Sequence, residues 1–151
     1  MANADNPNGF VPVGPNPSVN NYMAGGTFSK GDMVMYSSGK LVIHDGTNAL
    51  AAGVAAENGS ADQMCAIWDG ADTEFSGQVD SGTAHVQGTH DGGLSGIAGS
   101  TGLQEVDLNG ANGTVRVLRQ HFVPGSMETG AHARVIFTIA EHVSGSSGRV
   151  S

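Results

Sequence analysis

From Thr27 onward the apolar residues come in short bursts, each ended by Gly, Asn, Asp or Ser, which is the pattern of successive β-strands. Ser29-Lys30-Gly31-Asp32 reads as a turn ahead of a strand at Met33-Val34-Met35-Tyr36. Ser37-Ser38-Gly39 then reverses the chain, and Lys40-Leu41-Val42-Ile43-His44 returns it, which predicts a hairpin. After Asp45-Gly46, residues 50–56 predict a strand of small side chains in which Gly53 permits a bulge or a close backbone approach. Asn58-Gly59 turns the chain again before a strand at 63–69, and 73–79 and 83–87 predict two more, bent at Gly77 and Gly82. Residues 114–120 and 133–142 close the series. The last run sets Val135, Phe137 and Ile139 on one face and Arg134, Ile136 and Thr138 on the other, the period-two signature of a strand.

Two stretches break this rhythm. Residues 1–26 are rich in Asn, Pro and Gly, and prolines at 7, 12, 15 and 17 exclude a helix and favour extended backbone. A disordered leader has such a composition. So does an extended arm whose interspersed Phe10, Val11, Val13, Val19, Tyr22 and Met23 order against a partner. Residues 88–113 carry scattered glycines and few apolar anchors, which predicts a long loop with one short strand or helical turn near 103–108. The resulting division is an arm at 1–26, a β domain at 27–143 and a flexible Gly/Ser-rich tail at 144–151. About eight short strands in that domain predict an all-β fold, a compact β-barrel or β-sandwich. No internal repeat is evident.

Composition sharpens this. The 151 residues suit one domain. The 24 glycines are roughly twice the ordinary share of about 7%, and helix-building Lys, Arg, Glu and Leu are scarce, which excludes a helical bundle. With one Trp, two Tyr and five Phe, and alanines in place of larger groups, the core is thin. Association between subunits is therefore expected to contribute stability. Fourteen acidic against six basic residues give a net charge of −8, which disfavours nucleic acid and anionic membranes as partners. No apolar run approaches the length of about 18 residues needed to span a bilayer, and the first residues lack the features of a secretory signal.

Candidate chemistry is sparse. Cys65 is the sole cysteine, so no internal disulfide forms, and its apolar setting suits a buried structural thiol better than a nucleophile. The six histidines (His44, His85, His90, His121, His132 and His142) fall in no metal-binding spacing, so no metal site and no cofactor is expected. Asp69, Asp72 and Glu74 cluster near a strand end, where a solvated turn accounts for them better than catalytic acids. Trp68 fits a core residue or, alternatively, a sugar platform. Asn58-Gly59-Ser60 and Asn112-Gly113-Thr114 read as turns. No GxSxG elbow or phosphate-binding loop occurs, and no enzymatic activity is expected.

Three segments, Lys30-Gly31-Asp32-Met33-Val34-Met35-Tyr36, Gly39-Lys40-Leu41-Val42-Ile43 and Ala52-Gly53-Val54-Ala55, resemble the small capsid decoration (cement) proteins of tailed bacteriophages. The opening Met1-Ala2-Asn3, with Gly9-Phe10-Val11-Pro12 after it, is similar to phage structural proteins. The likeness covers residues 1–70, and the 88–113 loop departs from it. It implies a virion protein made in the host cytoplasm and attached to the outer surface of an icosahedral capsid. There it would form homotrimers and stabilise the shell by bridging subunits of the major capsid protein. On that reading the arm residues Phe10, Val11, Pro12, Val13, Val19 and Tyr22 make the capsid or subunit contacts, and deleting residues 1–23 leaves the β domain folded but unattached. A receptor- or carbohydrate-binding β module of a head fibre or tail is the alternative.

Overall fold

Backbone N–H and C=O groups in short, turn-bounded runs find their partners across strands rather than along a helix. Among the residues it describes, the computed structural model accordingly contains strands and turns and no helix. It describes residues 9–14, 17–47, 50–79, 90–94, 104–108, 113–120, 132–140 and 142–143. The elements are β1 (Val11–Val13), β2 (Val19–Met23), β3 (Met33–Ser37), β4 (Lys40–Ile43), β5 (Ala51–Ala55), β6 (Met64–Trp68), β7 (Glu74–Gln78), β8 (His90–Leu94), β9 (Val106–Asp107), β10 (Val115–Gln120) and β11 (Arg134–Ile139). They form two antiparallel sheets, ordered β1-β7-β11-β10-β8-β9 and β2-β6-β5-β3-β4. The expected all-β class holds, and between its two forms the molecule is a sandwich rather than a closed barrel.

The β3–β4 hairpin pairs Val34 with Ile43 through Ser37 with Lys40. Its turn residues Ser38 and Gly39 both take positive φ, 52° and 80°, as a tight two-residue reversal between twisted strands requires. β5 is buried along its whole length because it lies in the middle of its sheet and both faces are covered. Ala51 and Val54 join Met33, Phe75, Phe137 and the β10 and β11 valines in the core between the sheets. Ala52 and Ala55 instead join Val34, Leu41, Cys65, Ile67 and Phe28 in a second core on the other side. Strict alternation cannot achieve that division. The register jumps from Val34↔Gly53 to Met35↔Ala51, so Ala52 is an extra residue and the strand bulges. Gly53 (φ 154°) is required at the bulge: a Cβ there would lie 2.3 Å from the Trp68 carbonyl oxygen.

The second core is enclosed because the five-stranded sheet rolls. Beyond β2, Ala24 bridges Leu41 in parallel, and Gly25 N–H donates to the Leu41 carbonyl at 2.7 Å. The sheet's first and last strands thus touch at one end. A buried glutamine fixes the opposite side of the molecule. The Gln104 amide accepts from Met33 N–H at 2.5 Å and donates to the Met33 and His44 carbonyls at 3.1 and 3.0 Å, imitating a strand's own backbone.

Two expectations are corrected. Residues 9–14 and 17–26 are not a separate arm: β1 is an edge strand of one sheet and β2 of the other. Phe10 is 1% exposed and meets Phe137 edge-to-face at 5.0 Å. Its N–H donates to the Gly31 carbonyl at 2.8 Å where the chain crosses Gly31, a contact too close for a side chain on either Gly9 or Gly31. A chain lacking residues 1–23 therefore loses an edge strand from each sheet and an aromatic from the core. In addition, within the stretch expected as a loop with one short strand or helical turn near 103–108, β9 lies at the expected strand, and the described residues 90–94 form a further strand, β8, which pairs with β10 and with β9. The strand expected at 83–87 and the tail at 144–151 lie outside the described residues.

Candidate functional site

β2 and β6 form a two-faced edge. Alternation puts Asn20 and Tyr22 on one face of β2 and Val19, Asn21 and Met23 on the other. The first face converges on Asp69, just past the end of β6. Its carboxylate accepts from Ser18 Oγ at 3.1 Å, from Asn20 Nδ2 at 3.0 and 2.9 Å, and from the Tyr22 hydroxyl at 2.5 Å. Burial pushes the Asp69 carboxyl up, but hydrogen bonds from Tyr22, Asn20 and Ser18 together outweigh it and hold the group below its ordinary value. The Tyr22 hydroxyl is pushed up to about 12, first by that hydrogen bond and then by burial. Tyr36 packs edge-to-face on Tyr22 at 6.3 Å, and burial raises its hydroxyl too. A carboxylate engaged by four hydrogen bonds beside a tyrosine that stays protonated is suited to tying β2 down, not to moving protons.

The opposite face is uncharged and, apart from exposed Asn21, apolar. Cross-strand pairs run Val19↔Trp68, Asn21↔Ala66 and Met23↔Met64. At the Trp68 end this face packs against the inter-sheet core. Val19, across from Trp68, is nonetheless 48% exposed, and at the other end the face emerges into solvent with Met23 and Met64 at 38 and 59% exposure. No residue of β2 or β6 is charged, in a chain of net charge −8. Asp72 and Glu74 border a cleft of about 510 Å³ between the 70–74 turn and Val13, Gly14, Pro17 and Ser18. Glu74 also pairs with Arg119 at 2.7 Å.

The contact residues expected from sequence are thus divided. Val11 (52% exposed) and Val19 are open to a partner, Pro12 and Val13 are half-buried, Tyr22 is tied to Asp69, and Phe10 is internal. Met23 and Met64 complete the exposed face. Met64 falls outside the expected set because only the β2–β6 register brings it beside Met23. Cys65 is buried and its thiol is pushed up to about 11 by burial and then by Glu57, which suits the structural role expected of it. Trp68 is half-buried against the core. His44 is buried, and its Nδ1 accepts from Gly46 N–H at 3.1 Å. His132 Nδ1 lies 3.3 Å from buried Glu105. His85, His121 and the side chain of His90 lie outside the described residues. Among the described residues no three or more His, Cys, Asp or Glu side chains gather as metal ligands. No protein-family model matches the chain, and no curated protein matches its sequence.

Proposed function

We propose that this chain is a structural virion protein that binds the outer surface of an icosahedral tailed-phage capsid and stabilises it by joining major capsid protein subunits. The observation that carries the reading is the uncharged, solvent-exposed apolar face along one edge of an otherwise acidic sandwich. Such a face excludes water on docking, while the surrounding acidic surface keeps particles dispersed. The segments resembling decoration proteins fall on β3, β4 and β5, the hairpin and central strand of the rolled sheet. The Asp69 cluster supports a mechanical rather than catalytic role, since its hydrogen bonds hold an edge strand in place. On this reading Val11 and Val19 supply apolar contact, and Phe10 keeps the β1 edge rigid. Repetition over a lattice turns individually weak contacts into firm attachment.

The test is addition of the purified chain to heads prepared without it, from the phage that encodes it. Saturable co-sedimentation, with DNA released from the heads at a higher temperature, is expected. Heads that neither bind the chain nor gain heat resistance overturn the proposal.

A further inference from the structure

Val135, Phe137 and Ile139 of β11 belong to the core between the sheets, so alternation sends Arg134, Ile136 and Thr138 to the outer face of the six-stranded sheet. Register puts Arg116 of β10 opposite Thr138 and, past the bulge, Arg119 opposite Ile136. Arg116, Arg119 and Arg134, half of the six basic residues in a chain of net charge −8, therefore share one face of two adjacent strands.

The three are not equivalent. Arg119 Nη2 donates to Glu74 Oε1 at 2.7 Å, and Arg116 is engaged as well. Arg134 is half-buried, yet among the described residues it has neither an ion pair nor a hydrogen bond. Its cross-strand neighbour on β7 is Gln78, and the acid beyond, Glu105, is committed elsewhere. Glu105 Oε2 accepts from Gln78 Nε2 at 2.5 Å and lies 3.3 Å from His132 Nδ1. Burial alone acts on the Arg134 guanidinium and lowers it below its ordinary value, with no carboxylate to raise it. Holding a charge partly out of water without a counter-ion is unfavourable, and 14 acidic residues offer ample choice of one. Such a breach of the folding rules persists where function requires it.

We propose that Arg134 is a carboxylate-binding site, its guanidinium donating two parallel N–H···O bonds to the two oxygens of one carboxylate. This goes beyond the capsid reading and does not depend on it. A planar fork of five donors matches a carboxylate or a phosphate, which the point charge of a lysine does not. The charge of the whole chain selects between the two. Each negative charge brought to a chain at −8 is opposed by its field, so a monovalent carboxylate is favoured over the more highly charged phosphate. A small free acid and the Asp or Glu side chain of a partner present the guanidinium with the same chemistry.

The test is thermal melting of the full-length chain and of Arg134→Met, at about pH 7 and fixed ionic strength, in sodium acetate, sodium phosphate or sodium chloride. Arg134→Met keeps an unbranched apolar stem and removes the charge. In chloride it is expected to melt at or above the parent temperature, because an unpaired, partly buried charge is lost. Gains in acetate and phosphate are taken as the parent's rise over chloride minus the variant's, which cancels general salt effects. A ligand at about four times its dissociation constant shifts the folding equilibrium about fivefold, so acetate is expected to give a gain of about 2–4 °C. Phosphate is expected to give less. A blocked peptide carrying one glutamate side chain separates the two sources: a gain matching acetate's marks a partner's side chain, and a gain from acetate alone marks a small free acid. An Arg134→Met chain that melts several degrees below the parent in chloride, no net gain in acetate, or a larger gain in phosphate overturns the proposal.

Discussion

Phe10→Ala distinguishes a detachable arm from an integral strand. Phe10 is 1% exposed, its ring meets Phe137 at 5.0 Å, and it belongs to the same buried cluster as Phe75 and Met33. Truncating a fully buried phenylalanine to alanine costs about 3–5 kcal/mol, a range that includes the lost ring pair and the residual void. In a domain of this length each kcal/mol shifts the melting temperature by roughly 2–4 °C, so a fall of about 10 °C is expected. Val11→Ala, one residue along but half exposed, is expected to change stability by about 0.5 kcal/mol or less. Thermal melts followed by circular dichroism, with urea titrations of the same variants, measure both. Equal melting temperatures for Phe10→Ala and the parent chain would refute the integral-strand reading and return residues 9–13 to the status of a free arm.

Gly53→Ala drives a methyl group to 2.3 Å from a backbone oxygen that cannot yield, and a loss on the order of 3 kcal/mol or more is expected, read as a lowered melt or insoluble expression. Gln104→Leu strips partners from the Met33 N–H and from the Met33 and His44 carbonyls, and is expected to lower the urea midpoint by about 3 kcal/mol equivalent. Asp69→Ala frees β2 and is expected to cost about 2 kcal/mol at pH 7, near the low end for a charged acceptor because the cluster is partly solvated. Since the folded Asp69 carboxyl lies below its ordinary value, that contribution is present above about pH 4 and lost as pH falls through the folded value; urea midpoints across acid pH should therefore converge for parent and variant. Burial pushes His142 below its ordinary value, against Asp69, the Asp69 and Ala52 backbone and Asp72, so its contribution is complete above about pH 6.5 and declines below it. A His142→Asn chain is expected to lack that decline in the same titration.

The strands that sequence reading finds are those whose turns advertise themselves. Ser38-Gly39 and Asn58-Gly59 bound runs long enough to show apolar character, and β3 to β6 appear within a residue or two of the expected places. β1 is hidden by Pro12, which argues against a strand unless the strand lies at an edge, and edge position is a property of the finished sheet. β8 reads His-Asp-Gly-Gly-Leu, with almost no apolar alternation, and becomes a strand because β9 and β10 flank it. The Asp69 cluster is partly legible: the sequence offers Tyr22 as a contact residue and Asp69 as part of an acidic turn, but a carboxylate and donors 47 to 51 residues away share no local pattern. The exposed face is harder still, because Met23 and Met64 look like core residues until cross-strand register shows which side they occupy.

The stretch Ala51–Ala55 works as a partition with a packed chamber on either side. A methyl group added there presses on one chamber directly and on the other through the displaced backbone, which explains alanine and glycine where a lone sheet face would accept valine or isoleucine. Neither chamber can loosen without stripping a wall from its neighbour. Heating is therefore expected to melt both together, in one calorimetric transition.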